Sequence, residues 1–119
     1  MRLVVLVSGT GTILEAIIGA GIPVALVVSD RSCPAIEQAE TAGVEAAIVA
    51  RENFGAHFDR HAYTVRLTSL LEEAAIDLVA MAGFGTILAA PIYDRYAGRI
   101  LNTHPSLLPA FPGWHAVED

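Results

Sequence analysis

Leu3-Val4-Val5-Leu6-Val7-Ser8-Gly9-Thr10-Gly11-Thr12 holds the key to the fold. Its first five residues form an unbroken, largely β-branched apolar run, the pattern of a strand buried on both faces of a sheet. Serine, glycine and threonine then interrupt the run, and apolar residues return with helical spacing over 12–20. Gly21 comes next, at the position where helices commonly close. A strand feeding a glycine turn and then a helix is the first half of a βαβ unit.

The same alternation continues along the chain. Residues 23–29 read as a second strand and 30–33 as a loop. Residues 34–42 read as a helix ended by Gly43, and 44–49 as a third strand. After an irregular connector at 53–58, residues 59–75 read as a long helix. Val65, Leu67, Leu70, Leu71 and Ala74 are expected to face the core from it. Residues 77–82 are a fourth strand, 87–96 a short helix and 99–102 a fifth strand. Alternating strands and helices imply right-handed crossovers and parallel pairing. The expected fold class is therefore α/β: one domain over residues 1–119, a Rossmann-like, doubly wound, mostly parallel sheet in the order 3-2-1-4-5. Its switch point lies between the first and fourth strands, so ligands should collect over 8–12, 83–88 and 102–105.

Composition agrees with such a core. The hydrophobic fraction is 54%, above the ~45–50% usual for soluble domains. Seven basic against 13 acidic residues leave a net charge of −6, which argues against nucleic-acid or membrane-surface binding but leaves room for a local anion pocket. Cys33 is the single cysteine, so an intrachain disulfide and a thiolate metal cluster are excluded. It precedes Pro34 at a helix start, where a reactive thiol and a plain structural cysteine are both compatible with the sequence. The longest uncharged stretch, 78–93, contains Gly83, Gly85 and Pro91 and falls short of the roughly 20 residues a membrane helix needs. The N-terminal apolar run is likewise shorter than a secretory signal requires. A cytoplasmic protein is expected.

The glycine loop at 8–12 suits a phosphate. Glycines allow close approach of the backbone, and the helix start offers free N–H groups with partial positive charge. The alternative is a ligand-free turn capped by Thr12. A dinucleotide site is a further reading, with Asp30 at the end of the second strand placed to hold a ribose. It lacks its third glycine, because Leu14 stands there. No Gly-Lys-Ser/Thr is present to make a P-loop.

Arg99-Ile100-Leu101-Asn102-Thr103-His104-Pro105 presents a second candidate site. Asn102 and His104 are two apart in extended backbone and point to the same side at the carboxyl edge of the sheet. Pro105, Pro109 and Pro112 stiffen the loop beyond the strand. His104 suits general acid–base work, and Asn102 suits donation to an oxygen that becomes negative during carbonyl attack. Together they suit acyl or formyl transfer to an amine. They also suit a plain strand-end cap. His57, His61 and His115 are scattered, so no metal site is expected. Arg60 either reaches an anionic ligand or is simply solvated at a helix start. Glu72 and Glu73 read as a solvated face, and no serine-hydrolase elbow is present.

On these motifs the chain resembles the phosphoribosylglycinamide formyltransferases, the folate-dependent glycinamide ribonucleotide transformylases of purine synthesis. The resemblance spans nearly all of the chain. It rests on Val-Leu-Val-Ser-Gly-Thr-Gly-Thr at 5–12, Ala-Gly-Phe at 82–84, and Gly-Arg-Ile-Leu-Asn-Thr-His-Pro-Ser-Leu-Leu-Pro-Ala-Phe-Pro-Gly at 98–113. Methionyl-tRNA formyltransferase and formyltetrahydrofolate hydrolase share Asn-x-His but differ after the Leu-Pro. They remain the alternatives within the superfamily, and a phosphate-binding module without catalysis is the alternative outside it.

The resemblance implies that the backbone of Gly11, Thr12 and Ile13 holds the ribonucleotide phosphate. Arg60 and the segment Gly85, Thr86, Ile87 and Leu88 would contact 10-formyltetrahydrofolate, the segment largely through backbone. Asn102 would lie by the formyl group and steady the oxyanion, with His104 as proton donor. Partners would be these small molecules, with no metal, nucleic acid or membrane, and with a homodimer left open. Ile13 stands where the family has Asn, and Gly85-Thr86 where it has a bulky residue and Arg. The family also continues past the position of Asp119, with further strands, a helix and a catalytic Asp. On that basis these 119 residues are expected to be the N-terminal nucleotide-binding part of a longer enzyme, weakly active or inactive alone and prone to self-association through an open sheet edge.

Overall fold

A computed structural model describes residues 1–51 and 58–103. Nine elements alternate: β1 (Leu3–Val7), α1 (Thr12–Gly19), β2 (Leu26–Ser29), α2 (Pro34–Thr41), β3 (Ala46–Ile48), α3 (Arg60–Glu73), β4 (Leu78–Ala82), α4 (Ala90–Arg95) and β5 (Ile100–Thr103). The five strands are all parallel, in the order β3-β2-β1-β4-β5. This is the expected doubly wound sheet, with its switch point between β1 and β4.

Every residue of β1 is buried because the strand alternates between two cores. Val4 and Leu6 pack with Leu26, Val28, Val79 and Met81 against α3 and α4. Leu3, Val5 and Val7 pack with Val27, Ala80 and Ala82 against α1 and α2. Each fully buried Val or Leu side chain contributes about 1.5–3 kcal/mol, so the central strand alone anchors both layers.

The second and third strands are shorter than their apolar runs. Val4 pairs with Leu26, and Ala25 N–H donates to the Leu3 carbonyl at 2.9 Å, so 23–24 lie beyond the start of β1 and have no ladder to join. β3 in turn pairs only with Val27, Val28 and Ser29. Helix α3 turns a different face inward than expected. Tyr63, Leu67 and Leu71 are buried, with Thr64 and Thr68 beside them, whereas Val65 is 42% exposed. Val65 sits two residues, about 200° of helical rotation, from both Tyr63 and Leu67, so the three cannot share a face. Asp59 caps α3 through a bond from the Ala62 N–H to Oδ1 at 2.9 Å.

Gly21 and Gly43 close α1 and α2 with positive φ, as expected. No described helix is long and apolar enough to cross a membrane.

Candidate active site at the carboxyl edge of the sheet

Parallel strands deliver their following loops to one edge, and there the expected 8–12 and 83–88 segments meet. Gly11 is the N-cap of α1 in left-handed backbone (φ 82°), and no side chain caps the helix. Thr12 is therefore the first helical residue rather than the cap, and its hydroxyl lies 3.2 Å from that of Thr10. The leading amides of α1 are left to the loop. Ile13 is half-buried with its side chain packed into the α1/α2 core, so only its backbone serves the loop. A Cβ on Gly11 would collide with Gln38 Oε1 and lie 3.0 Å from Ala35 Cβ. Leu14 is fully buried in the same core, where a dinucleotide fold would need glycine for close helix–sheet packing.

Asp30 is the centre of the edge. Its residue is 1% exposed. Oδ1 accepts from the Ser8 hydroxyl at 2.8 Å and from Arg31 Nε at 2.9 Å. Oδ2 accepts from the Thr86 hydroxyl at 2.5 Å and from Arg31 Nη2 at 3.1 Å. Burial pushes the carboxyl up, but the hydrogen bonds from Arg31, Thr86 and Ser8 and the Arg31 charge prevail and hold it below the ordinary 3.8. A carboxylate has about four lone-pair sites, and protein donors take all of them. The ribose-holding reading of Asp30 falls for that reason.

The network extends through both neighbouring loops. The Gly85 N–H donates to Ser8 Oγ at 2.6 Å, and Arg51 Nη1 reaches Thr86 Oγ1 at 3.5 Å. The Arg51 guanidinium also stacks 3.9 Å over the Phe58 ring. Behind it, the Tyr63 hydroxyl donates to the Val49 carbonyl, and burial raises that phenol far above its usual range. Motif reading alone does not single out Arg31 and Arg51. Each is the first cation after a strand end, which is the signal that would have found them.

The 85–88 segment is present at this edge, but its groups are unequal. Thr86 is 3% exposed with its hydroxyl committed to Asp30. Leu88 is buried in the α3/α4 core, while Ile87 is 71% exposed. Arg60 is exposed at the first position of α3. One turn later Thr64 Oγ1 accepts from the Ala89 N–H at 2.9 Å, which ties this helix start to the same segment.

Asn102 is exposed on β5, in register with Met81 of β4, which is itself a neighbour of Leu6. Paired residues of parallel strands point to the same face, so Asn102 lies on the α3/α4 side. There a cavity of about 270 Å³ is lined by Met81, Tyr93, Tyr96, Gly98, Ile100 and Asn102. His104, His57 and His115 lie outside the described residues, and His61 is exposed on α3. Among the described residues no group of three His, Cys, Asp or Glu is placed to hold a metal ion.

Known proteins resemble this chain in both sequence and fold. The chain is 43% identical to the phosphoribosylglycinamide formyltransferase of Mycobacterium tuberculosis, an alignment covering 99% of this chain and 56% of that one. It is 38% identical to the enzyme of that name from Escherichia coli, covering 97% and 56%. The crystal structure of glycinamide ribonucleotide transformylase 1 from Symbiobacterium toebii superposes with a TM-score of 0.78 at 39% identity, covering 95% of this chain and 55% of that chain. The chain thus spans about half the length of the curated relatives it matches. The formyl transferase family matches over residues 1–119, and together with the edge geometry this means that the chain belongs to that family.

Proposed function

We propose that this chain forms the nucleotide-binding part of an enzyme that transfers a formyl group from 10-formyltetrahydrofolate to the amine of glycinamide ribonucleotide. One observation carries the reading. A single sheet edge holds the uncapped start of α1, the segment after β4 and Asn102 near the end of β5, in a chain whose relatives bear that enzyme's name.

The backbone at Gly11, Thr12 and Ile13 binds the phosphate, since helix-start amides favour a dianion. The backbone of 85–88 and Arg60 contact the folate, with Asn102 beside its formyl group. The Gly85 N–H is committed to Ser8, so that segment contributes its other backbone groups. The substrate amine attacks the formyl carbon, and the carbonyl electron pair moves onto oxygen. The Asn102 amide donates to that oxyanion. His104 delivers a proton to the departing folate nitrogen and recovers one from the attacking amine. Collapse leaves the formylated amine, now a formamide, and tetrahydrofolate. The protein works on soluble small molecules, and the cytoplasm is where they occur.

Calorimetric titration with glycinamide ribonucleotide, paired with a formyl-transfer assay, tests the reading. Saturable binding that Gly11→Ala abolishes is expected, as is turnover, in a chain extended to the length of its relatives, that His104→Ala abolishes without loss of binding. Absence of binding by the unsubstituted protein overturns it.

A further inference from the structure

The Asp30 network joins segments distant in sequence, and its geometry assigns it more than a packing role. Ser8 belongs to the glycine loop and Thr86 to the segment after β4, and the two loops are joined directly by the Gly85 N–H on Ser8 Oγ and indirectly through Asp30. The Gly85 N–H binds Ser8 Oγ, Ser8 binds Oδ1, and the hydroxyl of the next residue, Thr86, binds Oδ2. The result is a closed ring of hydrogen bonds with one carboxylate at its centre. Asp30 sits one residue past β2, and its carboxylate reaches the loops that follow β1 and β4.

We propose that Asp30 is a positioning residue that sets the glycine loop and the 85–88 segment as a single unit, so that one ligand's loop is ordered together with the other's. This rests on the formyl-transfer reading for the identity of the ligands, though not for the coupling of the loops. The physical reason is the directionality of the ring. A carboxylate is acceptor-only, so both hydroxyls must turn their protons toward Asp30. That orients the Ser8 lone pairs toward the Gly85 N–H and those of Thr86 toward Arg51. Replacing one carboxylate oxygen with an amide NH₂ reverses one of these bonds and breaks the order.

Hydrogen–deuterium exchange of the whole chain tests the coupling without any ligand. Asp30→Asn and Thr86→Val should speed exchange of the Gly85 amide by about ten- to a hundredfold, as expected for loss of a charge-assisted bond. β1 and β4 amides should speed up no more than the accompanying loss of global stability in urea requires, and Thr86→Ser, which keeps the hydroxyl, should behave as the unsubstituted protein. Titrations with glycinamide ribonucleotide and with a formyl folate should show both affinities falling about tenfold in Asp30→Asn, with KM rising for both substrates and kcat held within about twofold. Exchange that rises by the same factor at Gly85 as in β1 and β4, or a Gly85 amide that does not respond, overturns the proposal. So does weakening of one ligand only. If the unsubstituted protein binds neither ligand, the functional reading fails, and the exchange pattern alone then decides the role of Asp30.

Discussion

The Thr86 hydroxyl donates to Oδ2 of Asp30 across 2.5 Å, joining residues 56 positions apart. That bond links the end of β2 to the segment beyond β4, two strands that do not pair with each other. It also places a buried carboxylate where three side chains can hold it ionised, and this has consequences for stability.

Stability should depend on Asp30 in acid. Burial raises its pKa, but bonds from Arg31, Thr86 and Ser8 lower it more, so the folded value lies below the ordinary 3.8. A group depressed on folding contributes stability fully above its unfolded pKa and loses it as pH falls through the folded value. The urea midpoint should therefore drop as pH is lowered below about 4, and Asp30→Asn should flatten that drop. Equal slopes for the two proteins would refute the assignment. Asp30→Ala should cost about 2–3 kcal/mol at neutral pH, less than for a fully buried pair because the Arg31 side chain can return to water.

Two glycines of the edge should respond oppositely to alanine. Gly11 has φ 82°, and an added Cβ would meet Gln38 Oε1 and approach Ala35 Cβ at 3.0 Å. Gly11→Ala should cost about 2–3 kcal/mol. At Gly85 the added Cβ finds Arg31 Nη2 and Ser8 Oγ at 3.4 Å, ordinary contact, without positive φ. Gly85→Ala should be neutral or stabilise by up to about 1 kcal/mol. Chemical denaturation of both variants checks the contrast.

The inward face of α3 can be read by substitution. Leu67 is fully buried, while Val65 is 42% exposed. Leu67→Ala should cost about 2–5 kcal/mol, and Val65→Ala should stay within about 0.5 kcal/mol. Comparable losses would mean that α3 presents a different face to the sheet.

Asn102 is exposed and at the edge strand, so its removal should leave the melting temperature unchanged. In the formyl-transfer assay Asn102→Ala should lower kcat by about 10²–10³, the usual effect of losing an oxyanion donor. Asn102→Asp should be no better, because a carboxylate cannot donate. A change in KM alone would assign Asn102 to binding instead.

The architecture is legible in the order of residues. Five short apolar runs separated by helical segments admit few parallel arrangements, and handed crossovers leave the observed strand order. The glycine loop, the 83–88 segment and Asn102 fall at one edge for the same reason, because parallel strands end on the same side. Local chemistry carries these readings: periodicity, glycine at helix ends, and the two-residue repeat of a strand. Packing in three dimensions settles the rest. Which face of α3 turns inward depends on the sheet it meets, so Val65 yields its expected place to Tyr63. The extent of β2 and β3 depends on where their neighbours end. The ring around Asp30 has no signature in the chain, since Ser8 and Thr86 lie 22 and 56 residues from it. The Arg31 guanidinium comes from the next residue in the chain, but only close packing of three loops brings the two hydroxyls onto the same carboxylate, and in doing so it turns a residue that looked fit to hold a ribose into one that ties those loops together.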